Sequence, residues 1–207
     1  MKVILLNGSP RPNGNTYHAL KLAADALNVQ GIETEILQIG TKGVHGCIGC
    51  GSCATRENHL CVFTDDVLNE YAVKMRQADG FIIGSPVYYA AMAGDLKCFM
   101  DRAFYTSSSY FRFKPAAGVA VARRAGAVST FNQIENYFAL GEMLRVPTIY
   151  WGDGYGQTPG QVEQDAEGCQ HMQVIARNMA WLLQVLQAGK DVPKPEKQTK
   201  IRTNFIR

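Results

Sequence analysis

Residues 1–16 read MKVILLNGSPRPNGNT, a short apolar run that breaks directly into a loop of Gly, Ser, Pro and Asn. Lys2 to Leu6 is β-prone and mostly apolar, as a strand buried on both faces of a parallel sheet must be. Gly8 and Gly14 give the loop turn geometries that a Cβ resists. Asn15 and Thr16 then open a helical pattern, with Leu20, Ala23, Ala24 and Leu27 on one face. Strand, loop and helix in this order build an anion site. The N–H groups of the helix start, its positive dipole end and the hydroxyls of Ser9 and Thr16 converge, and Arg11 adds a charged fork. Neither GxGxxG nor the Lys-bearing GxxxxGK[ST] loop is present, which sets the common nucleotide motifs aside.

Working outward, strand-like runs alternate with helical ones. Ile32–Ile39 reads as a second strand, Gly80–Gly84 as a third, Ala116–Ala122 as a fourth and Val146–Trp151 as a fifth. Helical stripes follow Thr64 (Val67, Leu68, Tyr71, Met75), run through Leu96, Phe99, Met100, Ala103 and Phe104, and recur over about 130–144 and 165–187. Strict β/α alternation predicts an α/β fold with a parallel sheet, right-handed crossovers, helices on both faces and a ligand at the carboxyl ends of the strands. The loops after strands one, three and four carry the unusual residues there. In SPVYYAAMAG (85–94), Tyr88 and Tyr89 offer flat faces to an aromatic ring, while Ala90, Ala91, Ala93 and Gly94 let backbone amides approach its edge. In ARRAGA (122–127), Arg123 and Arg124 suit the pyrimidine end of a flavin.

GSPRPNGNT, the segment GSPVYYAAMAGDLKCFMDR (84–102) and the five-strand order resemble the flavodoxin-like NAD(P)H-dependent FMN reductase family over about residues 1–188. The resemblance implies a doubly wound, three-layer, five-stranded sheet of order 2-1-3-4-5 that holds FMN non-covalently. It places the phosphate at Ser9, Arg11, Asn13, Asn15 and Thr16. It lays the isoalloxazine against Pro86, Val87, Tyr88, Tyr89, Ala90 and Gly94, reaching towards Arg123 to Gly126. It also implies NAD(P)H as co-substrate, a small electron acceptor such as a quinone, flavin or nitroaromatic, and a homodimer or homotetramer.

Cys47, Cys50, Cys53 and Cys61 form C-x2-C-x2-C-x7-C in a glycine-rich insertion over about 43–63. Four thiolates so close suit an Fe–S cluster. The spacing is similar to that of the iron-sulfur flavoprotein branch of the same superfamily, which implies a [4Fe-4S] cluster and, as an alternative function, an electron-transfer module between protein partners. Redox-active thiols and zinc are the competing readings, with His45 and His59 as spare ligands. Cys98 and Cys169 read as packing residues, Asp101 with Arg102 as an ion pair, and no catalytic side chain is required because the chemistry belongs to the flavin.

Composition closes off other classes. At 207 residues and 46% apolar content, the chain can fill one substantial core. Net charge is +3, yet residues 190–207 carry six Lys/Arg against two acids, which leaves the rest at −1. A near-neutral body speaks against nucleic acid as a partner. No run approaches a membrane helix and MKVILL is too short for a signal peptide, so a cytoplasmic protein is expected, with 189–207 as a basic tail that reads first as a solvated extension and second as an arm anchored on a neighbour by Phe205 and Ile206.

Overall fold

The first strand shows why the chain folds as it does. In a computed structural model that describes residues 1–206, Val3 and Leu5 face one hydrophobic core while Ile4 and Leu6 face another, and all four are fully buried. Successive side chains of a strand point to opposite faces, so an unbroken apolar run must be sandwiched. The elements in chain order are β1 (Lys2–Asn7), α1 (Asn15–Val29), β2 (Glu33–Gln38), α2 (Ser52–Thr55), α3 (Leu68–Gln77), β3 (Gly80–Tyr88), β4 (Ala91–Met92), α4 (Gly94–Phe111), β5 (Pro115–Ala122), α5 (Ala127–Leu140), β6 (Leu144–Arg145), β7 (Asp153–Tyr155) and α6 (Ala166–Ala188). The sheet runs β2-β1-β3-β5-β6 with parallel pairing throughout, and β7 also lies parallel beside β5. One core packs α1 and α6 on the sheet. The other buries apolar positions of α3, α4 and α5, including Phe99, Ile134 and Phe138. This is the three-layer doubly wound fold expected, with the fifth position shared by two short strands.

Three expectations are corrected. Val146–Trp151 is not a strand: β6 stops at Arg145 and pairs only Pro115 and Ala116, and β7 resumes at Asp153 beside Ala120. Pro147 cannot donate to the ladder, and its carbonyl turns away to accept from Asn178 Nδ2 at 2.8 Å. The N–H of Gly118, left in the gap, donates to Glu135 Oε1 at 2.9 Å. Secondly, β3 continues to Tyr88, so much of the loop expected after the third strand is a hairpin. Thirdly, Arg102 does not pair with Asp101; its side chain turns inward to Asp66, and Asp101 bonds Lys97 and Tyr137.

Helix starts follow local chemistry. Asp165 caps α6 by accepting from Gly168 N at 3.0 Å, and Asp66, two residues after Thr64, accepts from Leu68 N at 3.1 Å at the start of α3. Beyond α6, residues 189–206 hold no helix or strand, and Arg112 Nη1 donates to Pro195 O at 2.8 Å. No helix among the described residues is long and apolar enough to cross a membrane.

Candidate functional site

Four strand ends meet in one cavity of about 280 Å³, bordered by Ser9, Arg11, Asn15 and Thr16 after β1, Pro86 to Tyr88 at the end of β3, Arg123 after β5, and Gly156, Gln157 and Pro159 after β7. The last wall was not anticipated. Its signal was present in GQTPG (156–160), a turn sequence that the misplaced fifth strand concealed.

The β1–α1 loop is held from below. Asn7, fully buried, donates through Nδ2 to Gln38 Oε1 at 2.6 Å and accepts from Ser9 N at 3.2 Å, while Gln38 Nε2 reaches Ser9 O at 2.6 Å. Gly8 donates to Gly84 O at 2.8 Å, and a Cβ there would stand 2.6 Å from Leu96 Cδ2. The loop therefore lies flat on β3. Ser9 Oγ accepts from Arg11 N, and Asn15 Oδ1 accepts from Val162 N, tying the loop to the one after β7. The N-terminus of α1 carries no capping side chain and no acid in its first turn. Its unsatisfied N–H groups and its dipole open onto the cavity, the environment an anion requires.

At the other end, β3 and β4 make an antiparallel hairpin with Val87 opposite Met92 and Tyr88 opposite Ala91. Tyr89 and Ala90 close it, both with positive φ (49° and 58°). Two-residue turns of this hand favour Asn-Gly, so Tyr-Ala stores strain. The turn is supported from α5, where Ser129 Oγ donates to Ala90 O at 2.6 Å and Gln133 Oε1 accepts from Met92 N at 3.2 Å. Gly126, at φ 93°, allows the approach: a Cβ there would lie 3.0 Å from Ala90 Cα. Tyr89 projects fully into solvent. Asn13, Tyr89, Ala90, Gly94 and Gly126 thus border no part of the cavity, although Gly126 and Ala90 fix the hairpin that does.

The cysteines form a second cavity, of about 150 Å³, which Cys47, Cys50, Cys53 and Cys61 all border together with Phe63, Arg102 and Tyr105. Cys47 and Cys50 are exposed, and Cys53 and Cys61 half-buried. The hydroxyl and N–H of Ser52 hold the Cys50 thiol below its ordinary range, while burial, then the nearby cysteines, pushes Cys53 up. Among the described residues, no three His, Cys, Asp or Glu side chains surround one point closely enough for a single ion. His45 instead stacks on Phe63 at 4.5 Å and His59 Nδ1 meets Cys53 O, and neither borders the cavity.

Known proteins resemble this chain in sequence and in fold. The family model described as NADPH-dependent FMN reductase matches residues 1–158. An iron-sulfur flavoprotein of Methanocaldococcus jannaschii is 37% identical over 194 residues, covering 90% of this chain and 99% of that protein. Another, from Methanosarcina thermophila, is 30% identical over 196 residues, covering 92% of this chain and all of its own. A flavodoxin structure from the domain Archaea superposes with a TM-score of 0.59 at 12% identity, over 89% of this chain and 99% of that one, a likeness of fold.

Proposed function

The chain belongs to the NADPH-dependent FMN reductase family, and from that premise we propose that it passes electrons from NAD(P)H through FMN to a small acceptor such as a quinone, a free flavin or a nitroaromatic. It is an oxidoreductase with FMN as cofactor. The observation that carries the site assignment is the single cavity joining an uncapped helix N-terminus to the Tyr88 hairpin. The FMN phosphate occupies the α1 end, with Ser9, Arg11, Asn15 and Thr16 around it. The flavin ring lies along Pro86, Val87 and Tyr88, with Arg123 at its edge. Asn13, Tyr89, Ala90, Gly94 and Gly126 act indirectly, through loop shape or a second subunit. Bound FMN supplies the hydride and electron chemistry. The chain orients it, and the wide mouth of the cavity leaves one ring face to NAD(P)H and acceptor in turn. The adjacent exposed rings of Tyr88 and Tyr89 beside that mouth form an aromatic surface that the second chain of a homodimer would cover.

A second reading rests on the other cavity. Four cysteines around one space and an unpartnered buried donor on Arg102 fit a [4Fe-4S] cluster held by Cys47, Cys50, Cys53 and Cys61. Two relatives named iron-sulfur flavoprotein support it. A cluster carries single electrons, which suits transfer to a protein partner.

Anaerobic purification with flavin and iron assays, followed by NADPH and NADH oxidation with a quinone, tests both. One FMN per chain and brisk turnover with parallel initial-rate lines is expected for the reductase. About four irons per chain with slow turnover would move the function to electron transfer, and failure to bind added FMN would overturn both.

A further inference from the structure

Arg102 stands on the buried stripe of α4, between Phe99 and Thr106, where the helical period calls for an apolar residue. Its side chain is 1% exposed and that of its partner Asp66 3%. Two charges removed from water cost several kcal/mol each in real proteins, so a fully employed guanidinium is expected. It is not fully employed. Nη1 donates to Asp66 Oδ2 and, at 3.1 Å, to His45 O; Nε donates to Cys61 Sγ at 3.2 Å; Nη2 is buried without any partner.

The arrangement has a direction. In the planar guanidinium fork, Nε and Nη2 share one edge, and their N–H bonds run side by side. Arg102 borders the cysteine cavity, and on that edge Nε meets the Cys61 sulfur at 3.2 Å while Nη2 lies beside it, closed off from solvent. The face of the fork lies over Phe63, 5.3 Å from its ring centre. One of two parallel donors therefore has a cysteine sulfur and the other wants an acceptor immediately beside it. An inorganic sulfide of a cluster held by Cys61 would be such an acceptor. Asp66 cannot turn to serve Nη2, since it also accepts from Leu68 N at 3.1 Å and His45 N at 3.1 Å. Burial alone would raise its carboxyl, but the bonds from Arg102, Leu68 and His45 hold it below its ordinary range.

We infer that Arg102 is a positioning residue that grips the cluster through Cys61 and an adjacent sulfide and raises its reduction potential, with Asp66 opposing it. This rests on the cysteines holding a cluster, as proposed above. Reduction adds one electron to the cluster, supplied from the flavin in turnover or by dithionite in titration. A buried positive charge with two donors on the sulfurs favours the reduced form, and the neighbouring carboxylate offsets part of that field.

The test is a mediated dithionite titration of wild type, Arg102→Gln, Arg102→Lys and Asp66→Asn, with iron and FMN counted in each and the flavin potential read as an internal control. Arg102→Gln should lower the cluster potential by at least tenfold in the reduction equilibrium, ~59 mV for one electron. Arg102→Lys should restore part of it, and Asp66→Asn should shift it upwards. The flavin potential should not move. Retained clusters with unchanged potentials would overturn the inference. So would loss of iron from all three variants, which would make the pair purely structural. Wild type that takes up no iron after anaerobic reconstitution would bring down the cluster reading itself, before any variant is compared.

Discussion

Ser129 donates its hydroxyl to the carbonyl of Ala90 at 2.6 Å, so the first turn of α5 holds the strained tip of the β3–β4 hairpin. Each non-glycine residue in the left-handed region costs roughly 1–2 kcal/mol. Ala90→Gly should relieve that cost, less what the unfolded chain gains in freedom, and raise stability by up to about 1 kcal/mol. Ser129→Ala removes the brace and should lower FMN affinity several-fold with little effect on the fold. Thermal melts and flavin fluorescence titrations read the two effects separately, and equal melting points for wild type and Ala90→Gly would deny the strain.

The pair Asn7 and Gln38 makes a second prediction. Asn7→Ala deletes the partner of Gln38 Oε1 and of Ser9 N in a fully buried place. Leaving a buried polar group unmet costs about 1–3 kcal/mol, and the Ser9 N–H is left so here, while half-buried Gln38 loses its partner at the rim. Denaturant unfolding should show a loss in that range, and FMN affinity should drop because the loop no longer lies flat. An intact affinity would mean that the loop is held from elsewhere.

Glu135 sets a pH dependence. Burial pushes its carboxyl up to about 7, against the Gly118 N–H that holds it down. In the unfolded chain it ionises near its ordinary value, 4.5. Between those values the folded state binds more protons, so this group's contribution to stability is present below about 4.5 and is lost as pH rises to about 7. Glu135→Gln, which keeps the acceptor for Gly118, should flatten that slope and stabilise the protein above pH 7 by roughly 1–3 kcal/mol. Parallel pH–stability curves for the two proteins would refute it.

What could be read in advance follows from how local the cause is. The strand, loop and helix of residues 1–29 were legible because apolar alternation, glycines and helix start lie within one short segment. Pro86 to Tyr88 and Arg123, which border the first cavity, were legible for the same reason, since each lies at the end of a buried strand. The break at Pro147 was hidden inside an apolar run that looks like a strand until Gly118 is seen to bond Glu135 instead. The Tyr89–Ala90 turn lacks the Asn-Gly signature, and its support comes from Ser129, far along the chain. Arg102 was misread for the opposite reason: Asp101 is its neighbour in sequence, but the α-helix turns adjacent side chains apart, and only tertiary packing brings Asp66 and Cys61 to it.

The phosphate end of the cavity can be separated from the ring end by choice of ligand. Thr16 is buried at the start of α1, and its methyl packs where a Cβ on Gly84 would come within 3.0 Å. Thr16→Val keeps that packing and removes only the hydroxyl, so the melting point should change little. A hydrogen bond to a charged group is worth about 1.5–3 kcal/mol, and its loss should weaken FMN about 10- to 100-fold. Riboflavin, which has the same ring without the phosphate, should bind wild type and variant alike. Ser9→Ala should behave similarly but lose some stability as well, because Ser9 Oγ also accepts from Arg11 N. Equal weakening of FMN and riboflavin by Thr16→Val would show that the helix start serves the ring and not the phosphate, and would reverse the orientation proposed for the flavin.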